Sequence, residues 1–281
     1  MRNSICLMVL LVSMSIIQGL SAEKYLIVRV DDMGSFNAAN HACLKTIKSG
    51  IARSVEVMVP CPWFPEAVKL LSENPGIDVG IHLVLTSEWE TLKWRPLTDV
   101  PGLIDSAGYF YPYIWPWEGA EEDIFLINKN WSLAEIEKEL RAQIETGLRF
   151  LPGVTHLSTH MGFTSMHTSV LDLVKRLGDE YGLLTSESVS LKRLNGWDWD
   201  LPKRKRIRQF IKNIKRIDEG YWLFVEHPGM DVDEMRSVGT KIAKDRQFVT
   251  EILTNSKVMR AIQKEGITLV GYDEMDKLIK Q

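Results

Sequence analysis

Cysteine is scarce, with three residues in a chain of 281: Cys6, Cys43 and Cys61. Cys6 lies in an N-terminal apolar run, and the other two cannot build a disulfide framework, although they could form one bridge. Their expected placement, on a helix and at a strand end, makes buried free thiols the default. Basic excess is also missing: 34 Lys and Arg face 37 Asp and Glu, a formal net charge of -3. Such a chain has nothing spare to neutralise phosphates, which argues against nucleic acid as a partner. Neither a GxGxxG turn nor a P-loop follows the first strand-like segment, so the usual reason to expect a nucleotide-binding sheet is gone. No internal repeat, low-complexity tract or linker divides the sequence.

One long hydrophobic run is present. Arg2 precedes ICLMVLLVSMSII, and the small residues Gly19, Ser21 and Ala22 stand just before Glu23-Lys24. That order is the one a secretory signal peptide has, and it is expected over residues 1–22. The run is shorter than the roughly 20 residues a bilayer span needs, so a membrane anchor is the less favoured reading. Secretion to the periplasm or the exterior follows as the expectation, with no stable membrane insertion after cleavage. Residues 23–281 are then a single domain.

Strand-like and helix-like stretches alternate along that domain. YLIVRV (25–30) reads as a strand and 37–49 as a helix with Asn37 near its cap. RSVEVMV (53–59) is strand-like, 64–74 helical, and 76–86 contains another strand. Ser132 and Glu135 form a capping box for a helix over 132–150, where Ile136, Leu140, Ile144 and Leu148 recur at helical spacing. Strands are expected at 154–159, 182–187, 221–226 and 267–270, and helices at 164–181, 203–216, 243–264 and 272–280. This alternation implies an α/β fold with a parallel sheet wrapped in helices. About seven strands in this length suit a (β/α) barrel, closed or nearly so, with an open doubly wound sheet as runner-up. Two segments interrupt the rhythm. Residues 87–131 carry Trp89, Trp94, Tyr109, Phe110, Tyr111, Tyr113, Trp115 and Trp117, and residues 188–202 carry Trp197 and Trp199. Long aromatic loops over a barrel mouth suit stacking on sugar rings; packing of the loop onto the barrel is an equal alternative for any one ring.

Three strand ends carry metal-ligand chemistry: Asp31-Asp32, His82 in GIHLVLT, and His156 with His160 in THLSTHMG. Parallel strands would put all three at one end of the barrel. Positions 156, 158 and 160 share one strand face, so both histidines could look into one cavity. One aspartate with two histidines is an N/O set fit for a divalent ion. A lone histidine is more often structural, and paired acids can merely cap a helix, but three such sites ending three strands are harder to set aside.

DDMG after the first strand, GIHLVLT, WRPL (94–97), THLSTHMG and EHPG (226–229) together resemble the YdjC-like carbohydrate deacetylases, the family of chitooligosaccharide deacetylases. The resemblance spans most of the mature chain. It implies a barrel of the polysaccharide-deacetylase type, one divalent metal ion (Zn2+ first, Mg2+ as alternative), and removal of N-acetyl groups from amino-sugar oligosaccharides. Carried over, Asp32, His82 and His160 match metal ligands, Asp31 the general base, and His227 a second active-site histidine that could protonate the leaving amine. Trp94, Arg95 and Met161 fall on the substrate side; Arg95 could orient Asp31 or bind a sugar hydroxyl. The family's commoner fourth motif reads like HLDSHHH, with an acid where this chain has Ser158 and a histidine where it has Met161. Neighbouring polysaccharide deacetylases use an HxxxH pair, which would make His156 a ligand in place of His82. With His82 favoured, His156 is expected behind the ligands or as a core histidine. An amidase or esterase acting on a non-sugar, or a glycan-binding module without catalysis, are the alternatives. The expected partner is an N-acetylated oligosaccharide, and a homodimer is left open.

Overall fold

A computed structural model describes residues 23–89, 92–185 and 190–280. The signal-peptide expectation for 1–22 and the end of the expected strand 182–187 lie outside them. The centre is β1 (Lys24–Met33), buried along nearly all its length. Side chains alternate between the faces of a strand. Leu26, Val28 and Val30 join the large core shared with the helices, while Ile27 packs with Leu223, Tyr272 and Met275 on the other face. After β1 come α1 (Asn37–Ser49), β2 (Ser54–Val57), α2 (Phe64–Ser72) and β3 (Asp78–Leu83). The aromatic excursion then leads to α3 (Leu133–Phe150), β4 (Val154–Thr159), α4 (Thr168–Tyr181), β5 (Leu184–Thr185) and β6 (Lys192–Arg193). The remainder is α5 (Lys203–Ile214), β7 (Gly220–Glu226), α6 (Asp233–Arg236), α7 (Thr240–Leu253), α8 (Ser256–Lys264), β8 (Ile267–Leu269) and α9 (Tyr272–Ile279).

Every strand pairing is parallel, in the order β5-β4-β3-β2-β1-β7-β6. β7 covers one edge of β1 from Lys24 to Val30, while β8 takes Lys24–Leu26 and β2 takes Arg29–Met33 on the other. The sheet is a curled half-barrel, with no pairing between β5 and β6 among the described residues. Because the strands run in parallel, the C-terminal ends of β1, β3, β4 and β7 form one mouth.

Several local expectations are met. The Ser132–Glu135 capping box starts α3, and Cys43 and Cys61 are free and buried. Asn37 does open α1 directly after the N-cap Phe36, as expected, and the first amides are held by Glu234, whose oxygens accept from Asn37 N and Ala38 N at 3.2 and 3.0 Å. Others need correction. The helix expected over 243–264 is two, because Asn255 Oδ1 accepts from Lys257 N and opens α8. The two-residue β6 is exposed and has no apolar alternation to announce it. No described helix is long and apolar enough to cross a membrane.

Candidate metal centre

Asp32 near the end of β1, His82 near the end of β3 and His160 just past β4 meet at the mouth. Asp32 Oδ1 lies 3.6 Å from His82 Nε2 and 3.5 Å from His160 Nδ1. The two imidazoles stand edge to face, centroids 5.3 Å apart. One donor atom from each residue falls within 4.8 Å of the others, and all three residues are buried. Asp32 Oδ1 and His160 Nε2 have no hydrogen-bond partner, while Asp32 Oδ2 is met by Arg246 Nη2 at 2.8 Å. Buried donors and acceptors are ordinarily satisfied, because leaving one bare costs about 1–3 kcal/mol. A cation bound among them would remove that penalty, so the residues present fit a divalent ion.

The groups of the cluster and their neighbours shift one another's charge states. Burial, followed by the neighbouring His160, pushes the His82 imidazole down to about 3, so it stands neutral with a lone pair available. Burial would lower His160 as well, but the Asp32 carboxylate beside it, with the charge of Glu88, raises it. Burial opposes ionisation of Asp32, yet Arg246, His227 and His160 hold it well below the usual carboxylate range. Glu88 is raised by burial and by Asp32. Its Oε2 is 3.7 Å from His160 Nε2, and Arg246 Nη2 reaches Asp32 Oδ2 at 2.8 Å and Glu88 Oε1 at 3.5 Å. The backbone is strained here too. Among the described residues the non-glycine positions with positive φ are Asp32 (72°), Glu88 (61°) and Met161 (54°), all at this site. Each such conformation costs on the order of 1–3 kcal/mol and tends to be kept where function needs it.

A buried polar layer supports the cluster from below. Arg29 grips Asp31 with two parallel hydrogen bonds, and Asp31 Oδ2 is 3.9 Å from His82 Nε2. Glu56, Gly80 and His156 occupy one register line across β2, β3 and β4, and His82 with Ser158 the next but one. Glu56 bonds His156 Nε2 through one oxygen and Ser158 Oγ through the other, at 2.5 Å for the serine. Ser158 Oγ is in turn 2.7 Å from His82 Nδ1. Burial would raise the Glu56 carboxyl, but His156 and Arg29 hold it below the ordinary range. Gly80 makes the layer possible, since a Cβ there would stand 2.4 Å from His156 Nε2 and 2.5 Å from Glu56 Oε2.

Beside the cluster opens a cavity of about 260 Å³ bordered by Glu88, Trp89, Trp199, Glu226, His227 and Arg246. Trp89 Nε1 and Arg246 Nη1 are buried there with no hydrogen-bond partner, two donors available to a ligand's oxygens. Burial pushes the Glu226 carboxyl up to about 7, with His227 and Arg246 opposing.

The sequence-predicted residues therefore divide. Asp31, Asp32, His82, His160 and His227 converge. His156 is not in the group whose donor atoms come together: it stacks on Tyr272 at 3.9 Å and bonds Glu56 and Thr155, so the geometry favours His82 over the HxxxH alternative. Trp94 is not a platform for substrate, because it is buried, donates Nε1–H to Thr86 O at 3.1 Å and packs 6.5 Å from His160. Arg95 does not orient Asp31; it donates to Gly108 O and covers the Tyr109 ring, exposed on the excursion, and Arg29 has the orienting place. Met161 is partly buried beside His160, its sulfur accepting from Thr86 Oγ1 at 3.3 Å. Arg29, Glu56, Glu88, Glu226 and Arg246 were not singled out. An arginine inside YLIVRV and a glutamate inside RSVEVMV, each in a strand otherwise apolar enough to be buried, were the signals available.

Residues 25–264 match the family model described as "YdjC-like protein". Among curated proteins the chain is similar to the carbohydrate deacetylase of Geobacillus stearothermophilus, 28% identical over 91% of this chain and 99% of that one. The carbohydrate deacetylase of Thermus thermophilus is 34% identical over 67% of this chain and 63% of that one. Among solved structures, a protein of Enterococcus faecalis V583 with the provisional description of a cellobiose-phosphate cleavage protein superposes with a TM-score of 0.74. It is 24% identical over 90% of this chain and 99% of that chain, which speaks to the fold alone.

Proposed function

The chain belongs to the YdjC-like family, and on that premise we propose that it is a metal-dependent carbohydrate deacetylase acting on N-acetylated amino-sugar oligosaccharides. The observation that carries the reading is the convergence of Asp32, His82 and His160, with Asp32 Oδ1 and His160 Nε2 buried and without a hydrogen bond. Asp32, His82 and His160 would hold the ion, with Zn2+ the first choice for two imidazoles and a carboxylate and Mg2+ the second. A divalent ion there would supply Lewis acidity to the acetyl carbonyl and acidify the attacking water.

The chain's own groups do the rest. Asp31, held in one orientation by Arg29, accepts the proton of the water that attacks the carbonyl carbon. His227, which lines the cavity just beyond β7, donates a proton to the departing amine nitrogen. Arg246 Nη1 and Trp89 Nε1 offer hydrogens to sugar oxygens, and the Trp89 and Trp199 rings offer apolar faces to a pyranose. The order of residues 1–22 supports secretion as the setting in which such a glycan is met. Acetate release from N-acetylchitobiose and longer chitooligosaccharides, with and without chelator, tests the reading. Chelator-sensitive release is expected; no release from any sugar at full metal loading would remove it.

A further inference from the structure

Glu56 has no place in the reaction above, yet its side chain is wholly buried inside the barrel and both its oxygens are engaged. What it does to Ser158 has a consequence for His82. A serine hydroxyl carries one hydrogen. Because an ionised carboxylate can only accept, the hydrogen of Ser158 Oγ goes to Glu56 Oε2, 2.5 Å away. Ser158 Oγ then has only lone pairs to offer His82 Nδ1 at 2.7 Å, so Nδ1 must bear the imidazole hydrogen. The Nε2 lone pair is left free, and Nε2 is the atom that faces Asp32 Oδ1. Were Ser158 free to rotate, it could donate to Nδ1 and stabilise the opposite tautomer, whose Nε2–H would block a ligand bond.

We infer that Glu56 is the positioning residue of the metal centre: acting through Ser158, it fixes the tautomer and ring angle of His82 for Nε2 ligation. The inference rests on the metal-centre reading given above. The strand geometry explains why one hydroxyl bridges the two groups. Glu56 sits on β2, Ser158 on β4, and Gly80 between them on β3 has no side chain to separate them. The carboxylate that the commoner family motif places at position 158 is thus supplied here from another strand, one hydroxyl removed from the imidazole. Partners of metal-bound histidines are typically worth about 10–100-fold in metal affinity.

Three variants test this: Ser158→Ala, Glu56→Gln, and the double variant Glu56→Gln/Ser158→Asp, which moves the carboxylate directly onto His82 Nδ1. Zn2+ affinity is measured by chelator competition, the His82 tautomer by nitrogen NMR of the metal-free protein, and folding by the melting temperature of the same sample. Both single variants are expected to bind Zn2+ about 10–100-fold more weakly with loss of the pure Nδ1–H tautomer. The double variant should recover most of that affinity. Single variants that melt early but keep wild-type Zn2+ affinity and the Nδ1–H tautomer would reduce Glu56 to a structural part and overturn the inference. If Glu56→Gln does not fold, Ser158→Ala, which leaves the Glu56–His156 bond in place, decides alone. If the wild-type protein binds no ion, the metal-centre reading fails, and the tautomer comparison still decides the role of Glu56.

Discussion

Arg29 and Asp31 are joined inside the barrel by a bidentate pair, Nε to Oδ1 at 2.8 Å and Nη2 to Oδ2 at 2.9 Å. Arg29 Nε also stands 3.6 Å from Glu56 Oε1, so one guanidinium serves two buried carboxylates. Removing one partner of a buried pair leaves the other charge uncompensated. Arg29→Ala should therefore destabilise the fold by about 3–5 kcal/mol in urea unfolding. Arg29→Lys should rescue little of this, since an ammonium cannot reproduce the two parallel bonds.

Asp31 and Asp32 are adjacent but differ in surroundings, and their variants should separate. Asp31→Asn keeps the Asp32, His82 and His160 set, so ion binding should persist while turnover falls about 10²–10⁴-fold, the usual worth of a general base. Full turnover in Asp31→Asn would assign the proton transfer elsewhere.

Gly80→Ala would drive a methyl to 2.4 Å from His156 Nε2 and 2.5 Å from Glu56 Oε2, both fixed by other bonds. Overpacking of this kind costs about 1–3 kcal/mol, and here the displaced groups are polar and buried. A lower melting temperature together with weaker ion binding is expected; an unchanged melting temperature would mean the layer beneath the ligands is softer than described.

The convergence of Asp32, His82 and His160 was legible because parallel strands bring their ends together whatever the sequence distance between them. His156 was harder to place. Strand periodicity gives it the same face as His160, but the chain leaves β4 at Thr159 and turns through Met161 and Gly162 at positive φ. His160 therefore sits in the turn at the mouth, and His156 stays a layer deeper. Arg246 was illegible for another reason. Beside Asp245 and Glu251 it reads as one more charge on an amphipathic helix, and only the packing of α7 across the mouth brings it to Asp32. The burial of Trp94 and the seat of Arg95 on the Tyr109 ring were illegible because a motif names residues without fixing the path of the loop that carries them.

Glu226 makes stability depend on pH in a defined direction. Its folded value of about 7 stands above the ordinary 4.5, so the folded chain holds this proton when the unfolded chain has lost it. Below about pH 4.5 both states are protonated and the group contributes nothing. Between 4.5 and 7 stability falls as pH rises, and above 7 the full penalty is present, at most about 3 kcal/mol. Glu226→Gln should thus gain stability over the wild type at pH 8 and little at pH 4.5. An equal difference at the two pH values would show that the carboxyl titrates normally in the folded protein.

Which imidazoles meet the ion is tested most directly by ion stoichiometry at saturating Zn2+ in the wild type, His82→Ala and His156→Ala. One ion per chain is predicted for the wild type and for His156→Ala, and none for His82→Ala. An ion retained by His82→Ala and lost from His156→Ala would contradict it.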